Sequence, residues 1–167
     1  MEQRKLLERE LDILRDRLLL MGGEVELALQ RAMHALVRRD SEVANQVIEN
    51  DRVIDRLELE IDRLSVEVLT LRRPVARELR MVISIFKITP VLERIADHAT
   101  SIARAALELN DEPELKNTPN STKWRNAHLK CCNRRSTLLR RTIRKKPDSL
   151  SGKMRKLIKS TTAWLII

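Results

Sequence analysis

Aromatic side chains are almost missing from this chain. One phenylalanine (Phe86), two tryptophans (Trp124 and Trp164) and no tyrosine stand among 167 residues, and glycine is as rare, with three. Sheets draw on aromatic and β-branched residues and on glycine-bearing turns, so the shortage argues for long helices. Cysteine occurs only as the adjacent pair Cys131–Cys132. That spacing makes neither a disulfide framework nor a zinc site, and His128 upstream does not complete one. No apolar run approaches the roughly 18–20 residues of a membrane span, and the opening MEQRKLLERELD lacks the apolar core of a secretory signal. The expectation is a cytoplasmic protein without a transmembrane segment.

The net charge of +9 hides two regions of opposite sign. Residues 1–115 hold 18 Lys/Arg against 23 Asp/Glu, whereas 116–167 hold 15 Lys/Arg against one acid, Asp148. The two parts need separate readings. Residues 1–112 read as an all-α, antiparallel three-helix bundle, and 113–167 as an irregular basic tail.

Within the first part, Leu7, Leu11, Leu14, Leu18, Met21, Val25 and Ala28 alternate steps of four and three. This is the apolar seam of one long helix, predicted over Gln3–Arg38. Gly22–Gly23 interrupts it, which points to close approach of another backbone or a local bend. Asp40 or Ser41 supplies an N-cap for a second helix running to about Leu71. Its seam is Val47, Asn50, Ile54, Leu57, Ile61, Leu64, Val68 and Leu71. Pro74 suits the first turn of a third helix reaching about Leu109. There Leu79, Val82, Phe86 and Glu93 fall on one row, which puts Glu93 near a core position. Pro90 removes a hydrogen bond inside that helix and predicts a kink just before Glu93.

The chemistry lies in the acids. Asp51, Asp55, Glu58 and Asp62 are spaced four, three and four apart, one helical stripe roughly 60° wide. Like charges at such spacings repel by about 0.2–0.5 kcal/mol per pair. Arg52, Arg56 and Arg63 project elsewhere, where Glu49, Glu60 and Glu67 can pair with them; only Asp55 has a base, Arg52, at a helical spacing. Glu93 and Asp97 form a second pair on the third helix. Counted from Arg73, Asp55 lies 18 residues back and Glu93 lies 20 forward, so antiparallel helices bring the pairs to one height. A solvated acidic face is one reading. The other is a site for a hard cation such as magnesium, manganese, calcium or iron, held by Asp51, Asp55, Glu93 and Asp97 with Glu58 and Asp62 nearby. Arg31 and Ile95 stand three residues before His34 and His98, so the Glu-x-x-His pairs of di-iron oxidases are missing.

The segments LLLMGGEVELALQRAM, VIENDRVIDRLELEID, RRPVARELRMVISIFKI and LERIADHATSIA resemble the first repeat of the PhoU family over about residues 6–112. The resemblance implies a fold of two similar three-helix bundles, of which this chain carries one. It also implies (E/D)-x-x-x-D motifs holding a multinuclear metal cluster, here Asp51/Asp55 and Glu93/Asp97. The implied role is non-enzymatic: negative regulation of phosphate transport and of phosphate-starvation signalling. The implied partners are the ATPase of a phosphate ABC transporter, a phosphate-sensor histidine kinase and a second copy in a homodimer.

The last third departs from that pattern. After Glu114 there is no D-x-x-x-D or E-x-x-x-D and no apolar seam, while Arg, Ser, Thr and Asn rise together. One reading is a basic arm for nucleic acid or another anionic surface. The other, preferred because the chain ends in the apolar run Ala163–Ile167, is a remainder read out of frame, with a second repeat encoded in another frame.

Overall fold

A computed structural model of the chain describes residues 2–113. The expectations for 114–167, the basic arm and the out-of-frame remainder alike, lie outside the described residues. Three helices account for nearly all of what is described: α1 (Glu2–Arg38), α2 (Ser41–Glu67) and α3 (Arg77–Asn110). Each packs on the other two in an antiparallel bundle. At 1.5 Å per residue, α1 is about 55 Å long.

The seam of α1 is buried as its periodicity requires, from Leu11 through Leu14, Leu18, Met21 and Val25 to Ala28, with Leu7 half-buried at its start. Gly22 is buried within an unbroken helix. The turn into α2 is compact. Arg39 takes a left-handed φ of 56°, and the Asp40 N–H donates to Ala35 O at 3.0 Å, a Schellman closure of α1. Asp40 then caps α2, its Oδ1 accepting from the Val43 N–H at 3.1 Å. Arg39 also reaches across the bundle end, donating to Leu109 O at 2.8 Å and Glu112 O at 2.9 Å. Leu109 O also accepts from the Glu112 N–H at 3.3 Å, so Arg39 adds a second donor at the C-terminal end of α3.

The other end differs from expectation. Beyond Glu67 the helix widens into a π-helical turn, Val68–Arg72. The extra residue rotates the seam, so Val68 stays buried while Leu71 is 63% exposed. Asn50, also placed on the seam, is exposed. Arg73 and Ala76 adopt positive φ, and α3 begins at Arg77, three residues after Pro74. Pro74 therefore lies in the turn and not in the first turn of the helix. Arg72 anchors this end: its Nη2 and Nε hold both oxygens of Glu10 on α1, at 2.7 and 3.0 Å.

In α3 the buried row is Val82, Ile85, Thr89, Leu92, Ala96, Ala99, Ala103 and Ala106. The row expected through Phe86 is displaced by one residue. Phe86 is 46% exposed, and Glu93 flanks the core half-buried. The helix runs unbroken across Pro90, whose side faces solvent, and the Thr89 hydroxyl donates to Ile85 O at 3.0 Å one turn back.

Ser65 lies fully buried on α2, and its Oγ has no hydrogen-bond partner among the described residues. An unsatisfied buried polar group costs about 1–3 kcal/mol. Ser65→Ala is expected to stabilise the bundle by about 1 kcal/mol, helped by alanine's helix propensity. The measurement is the urea midpoint, and a fall in that midpoint contradicts the assignment.

Candidate metal centre

The acidic stripe of α2 faces the acidic pair of α3. Six carboxylates border this seam: Asp51, Asp55, Glu58 and Asp62 from α2, Glu93 and Asp97 from α3. Asp51, Glu58, Asp62 and Glu93 are half-buried, while Asp55 and Asp97 are exposed. The buried faces of both helices set this arrangement. Ile54, Leu57 and Ile61 turn into the core beside the α2 acids, and Leu92 and Ala96 do so beside the α3 pair.

Their electrostatics show which acids share a field. Glu93 is pushed up from 4.5 to about 7, first by burial, then by a hydrogen bond with Asp97, then by the negative charges of Asp97, Glu58 and Asp55. Two carboxyls joined by a hydrogen bond share one proton, as close like charges cannot both ionise freely. Glu58 is raised by burial and by Asp62, Asp55 and Asp97. Asp51 is raised by burial and by Asp55 and Asp97, an effect opposed by the Thr100 hydroxyl and by Arg104. Asp55 and Asp97 act on all three of these groups. They are the hub of the cluster, and Asp62 touches it only through Glu58.

All four principal acids are therefore brought into one field, across two helices. Two further residues belong to the site. Thr100 and Arg104 lie three and seven residues beyond Asp97, on the same helical face, and that spacing was the available signal. His98 is half-buried and His34 exposed, and neither is among the groups that shift these acids. Glu60 pairs with Arg17 of α1 at 3.0 Å, a partner across the bundle in place of the one expected within α2.

Among the described residues, no three histidine, cysteine or carboxylate side chains already stand at ligating positions for a metal ion. The donor chemistry nonetheless fits a hard cation. The site offers oxygen ligands only, and Asp51, Glu58 and Glu93 hold protons above their ordinary range, first through burial and then through the negative charges around them. Asp51, Asp55, Glu93 and Asp97 would hold such an ion, whose positive charge would offset the repulsion among these acids.

A model of the PhoU domain matches residues 18–106, more than half of the chain. The chain belongs to the PhoU family. It is 47% identical over 105 residues to a phosphate-specific transport system accessory protein PhoU homolog of Pseudomonas putida, covering 63% of this chain and 41% of that protein. The phosphate-specific transport system accessory protein PhoU of Escherichia coli K12 is 41% identical over 99 residues, or 59% of this chain and 41% of its own. This PhoU-family chain thus spans about two fifths of the length of these curated relatives. The crystal structure of PhoU from Pseudomonas aeruginosa superposes with a TM-score of 0.68 at 32% identity, over 94% of this chain and 70% of that one.

Proposed function

We propose that this PhoU-family bundle is a non-enzymatic, metal-binding regulator of phosphate transport, acting in the cytoplasm to restrain phosphate uptake and phosphate-starvation signalling. The observation that carries the reading is the shared field of Asp55 and Asp97, which joins carboxylates of two helices into one centre. The relatives named as accessory proteins of the phosphate-specific transport system support the transport role. In this reading the bound ion ties α2 to α3 and sets the surface that partners meet. Those partners are the ATPase of the phosphate transporter and a phosphate-sensor histidine kinase. No helix among the described residues is long and apolar enough to cross a membrane, so contact with a transporter falls to its parts outside the bilayer.

The test is binding of the purified chain to the transporter ATPase, measured by calorimetry with iron, manganese or magnesium and again in chelator. The expected result is metal-dependent binding that Asp97→Asn weakens. Failure to bind ATPase or kinase with any of these ions overturns the reading. The competing reading, binding of nucleic acid through 116–167, is separated by truncation. Residues 1–115 carry more acid than base, so a polypeptide ending at Leu115 is expected not to bind duplex DNA at about 0.2 M salt. Retention of DNA by that polypeptide contradicts the regulatory account.

A further inference from the structure

The turn between α2 and α3 presents two large apolar side chains that the bundle does not bury. Leu71 is 63% exposed and Val75 69%, and Ile83, in the second turn of α3, is 40% exposed. Unusual backbone puts the first two there. The π-helical turn Val68–Arg72 carries Leu71 off the buried seam. Arg73 (φ 48°, ψ 56°) and Ala76 (φ 46°, ψ −98°) flank Pro74 and Val75 in conformations that residues other than glycine avoid. Such backbone clusters at ligand clamps and switch regions. Pro74 is buried, so the turn is held from within while Leu71 and Val75 stand out from it.

The same end is basic within an acidic bundle. From Val68 to Leu92 the chain carries five Lys/Arg and one acid, Glu78, whereas the rest of residues 1–115 carries 13 against 22. Arg73, Arg77, Arg80 and Lys87 are exposed, and the last three fall within about 80° on one side of α3. Arg73, Arg80 and Lys87 enter no ion pair among the described residues. Of the acids near the turn, Glu10 is held by Arg72 at 2.7 Å, and Glu78 Oε2 accepts from the Val75 N–H at 3.4 Å. Glu67 is exposed one turn before Leu71. Asp62, the nearest member of the acidic stripe, lies nine residues before Leu71, about 14 Å by helical rise. That exceeds the screening length of about 8 Å in physiological salt. Apolar tips ringed by cations suit a partner that is flat, fluid and negative throughout. On anionic lipid the aliphatic side chains enter beneath the headgroups, and the guanidinium groups stay level with the phosphates. An acidic protein segment needs a groove or sheet edge to seat it. Two side chains on a turn fall well short of the roughly 800 Å² per partner of a stable protein interface.

We propose that the α2–α3 turn docks on anionic membrane lipid, with Leu71 and Val75 entering the bilayer surface and Arg73, Arg77 and Arg80 meeting the headgroup phosphates. The acids between α2 and α3 take no part, so the proposal stands or falls independently of the metal and of the protein partners.

The test uses the full chain with one cysteine, Leu71→Cys, in a background of Cys131→Ser and Cys132→Ser, labelled with nitrobenzoxadiazole. On vesicles of equal parts phosphatidylglycerol and phosphatidylcholine, its emission is expected to shift to the blue. Nitroxides carried on the lipid chains are expected to quench it. The same label on Ala105→Cys, exposed near the far end of α3, is expected to stay unquenched. Vesicles of phosphatidylcholine alone are expected to leave both labels unchanged. Adding Arg80→Ala to the Leu71→Cys chain is expected to raise the lipid concentration at half-effect about fivefold, the weight of one cation near such a surface. Helical circular dichroism confirms that each variant folds. Absence of quenching at residue 71 overturns the proposal, including the case where the chain binds vesicles through its basic residues 116–167. Equal quenching at both labels overturns it, as does an equal response on neutral vesicles. Polyglutamate that shifts the label at residue 71 as the vesicles do points to an acidic protein partner and also overturns it.

Discussion

Asp55→Asn and Asp97→Asn are expected to melt above the wild-type chain in chelator and below it when a hard cation saturates the site. Both residues raise Glu93 and Glu58 and Asp51 through their negative charge. Removing either charge relieves like-charge repulsion, worth about 0.2–0.5 kcal/mol per neighbouring pair on an exposed helical surface. With metal the sign reverses. A ligand at a hundred times its dissociation constant stabilises the native state by about 2.7 kcal/mol, and a variant that loses a ligand loses most of that. Acid should mimic the substitutions in the metal-free wild type. Glu93 has a folded value of about 7 against an ordinary 4.5. Between those values the folded state holds the extra proton, so this group's contribution to stability falls as pH rises through about 7. Thermal melts at pH 5.5 and 8 in chelator, followed by titration with iron, manganese and magnesium, make the comparison. Variants that match wild type in all three metals and in chelator remove the case for a centre.

Ile61→Ala is expected to be the costliest change near the site, although it touches no acid's charge. Ile61 is fully buried, between Glu58 and Asp62 in sequence. Truncating such a side chain costs about 2–5 kcal/mol, the spread reflecting how far the cavity collapses. A domain's whole stability is about 5–15 kcal/mol. Leu59→Ala, on the exposed side of the same helix, is expected to stay within about 0.5 kcal/mol of wild type. Denaturant midpoints distinguish the two, and equal shifts would mean that the buried face of α2 is misassigned.

The seam of α1 could be read from the sequence because every member is a large aliphatic or alanine at a strict spacing. The meeting of Asp55 with Glu93 could be read as well, because short turns make height along antiparallel helices a matter of counting. The phase of α3 could not. The second half of its core row is Ala96, Ala99, Ala103 and Ala106, and the first half includes Thr89, satisfied by its own helix. Residue hydrophobicity favours Phe86 over these, yet small side chains are what let α3 lie close to its neighbours, and Phe86 turns outward. The start of α3 was hidden for another reason. Arg73 and Ala76 take left-handed φ without glycine, a choice that side-chain preference does not announce. Thr100 and Arg104 were missed because attention to acids alone leaves out the groups that temper them.

The Arg39 guanidinium joins two places that the chain separates by 70 residues, the turn after α1 and the final carbonyls of α3. Asn110 adds a second tie to the same corner, its Nδ2 donating to the Ser41 hydroxyl at 2.8 Å. Helix ends ordinarily fray alone, with opening free energies near zero. Here the last turn of α3 cannot open without releasing the α1–α2 turn, so amide exchange at both should rise and fall together as one cooperative unit. The corner thereby acts as a clasp on the bundle, holding the helix that carries Glu93 and Asp97 in register with the one that carries Asp51 and Asp55.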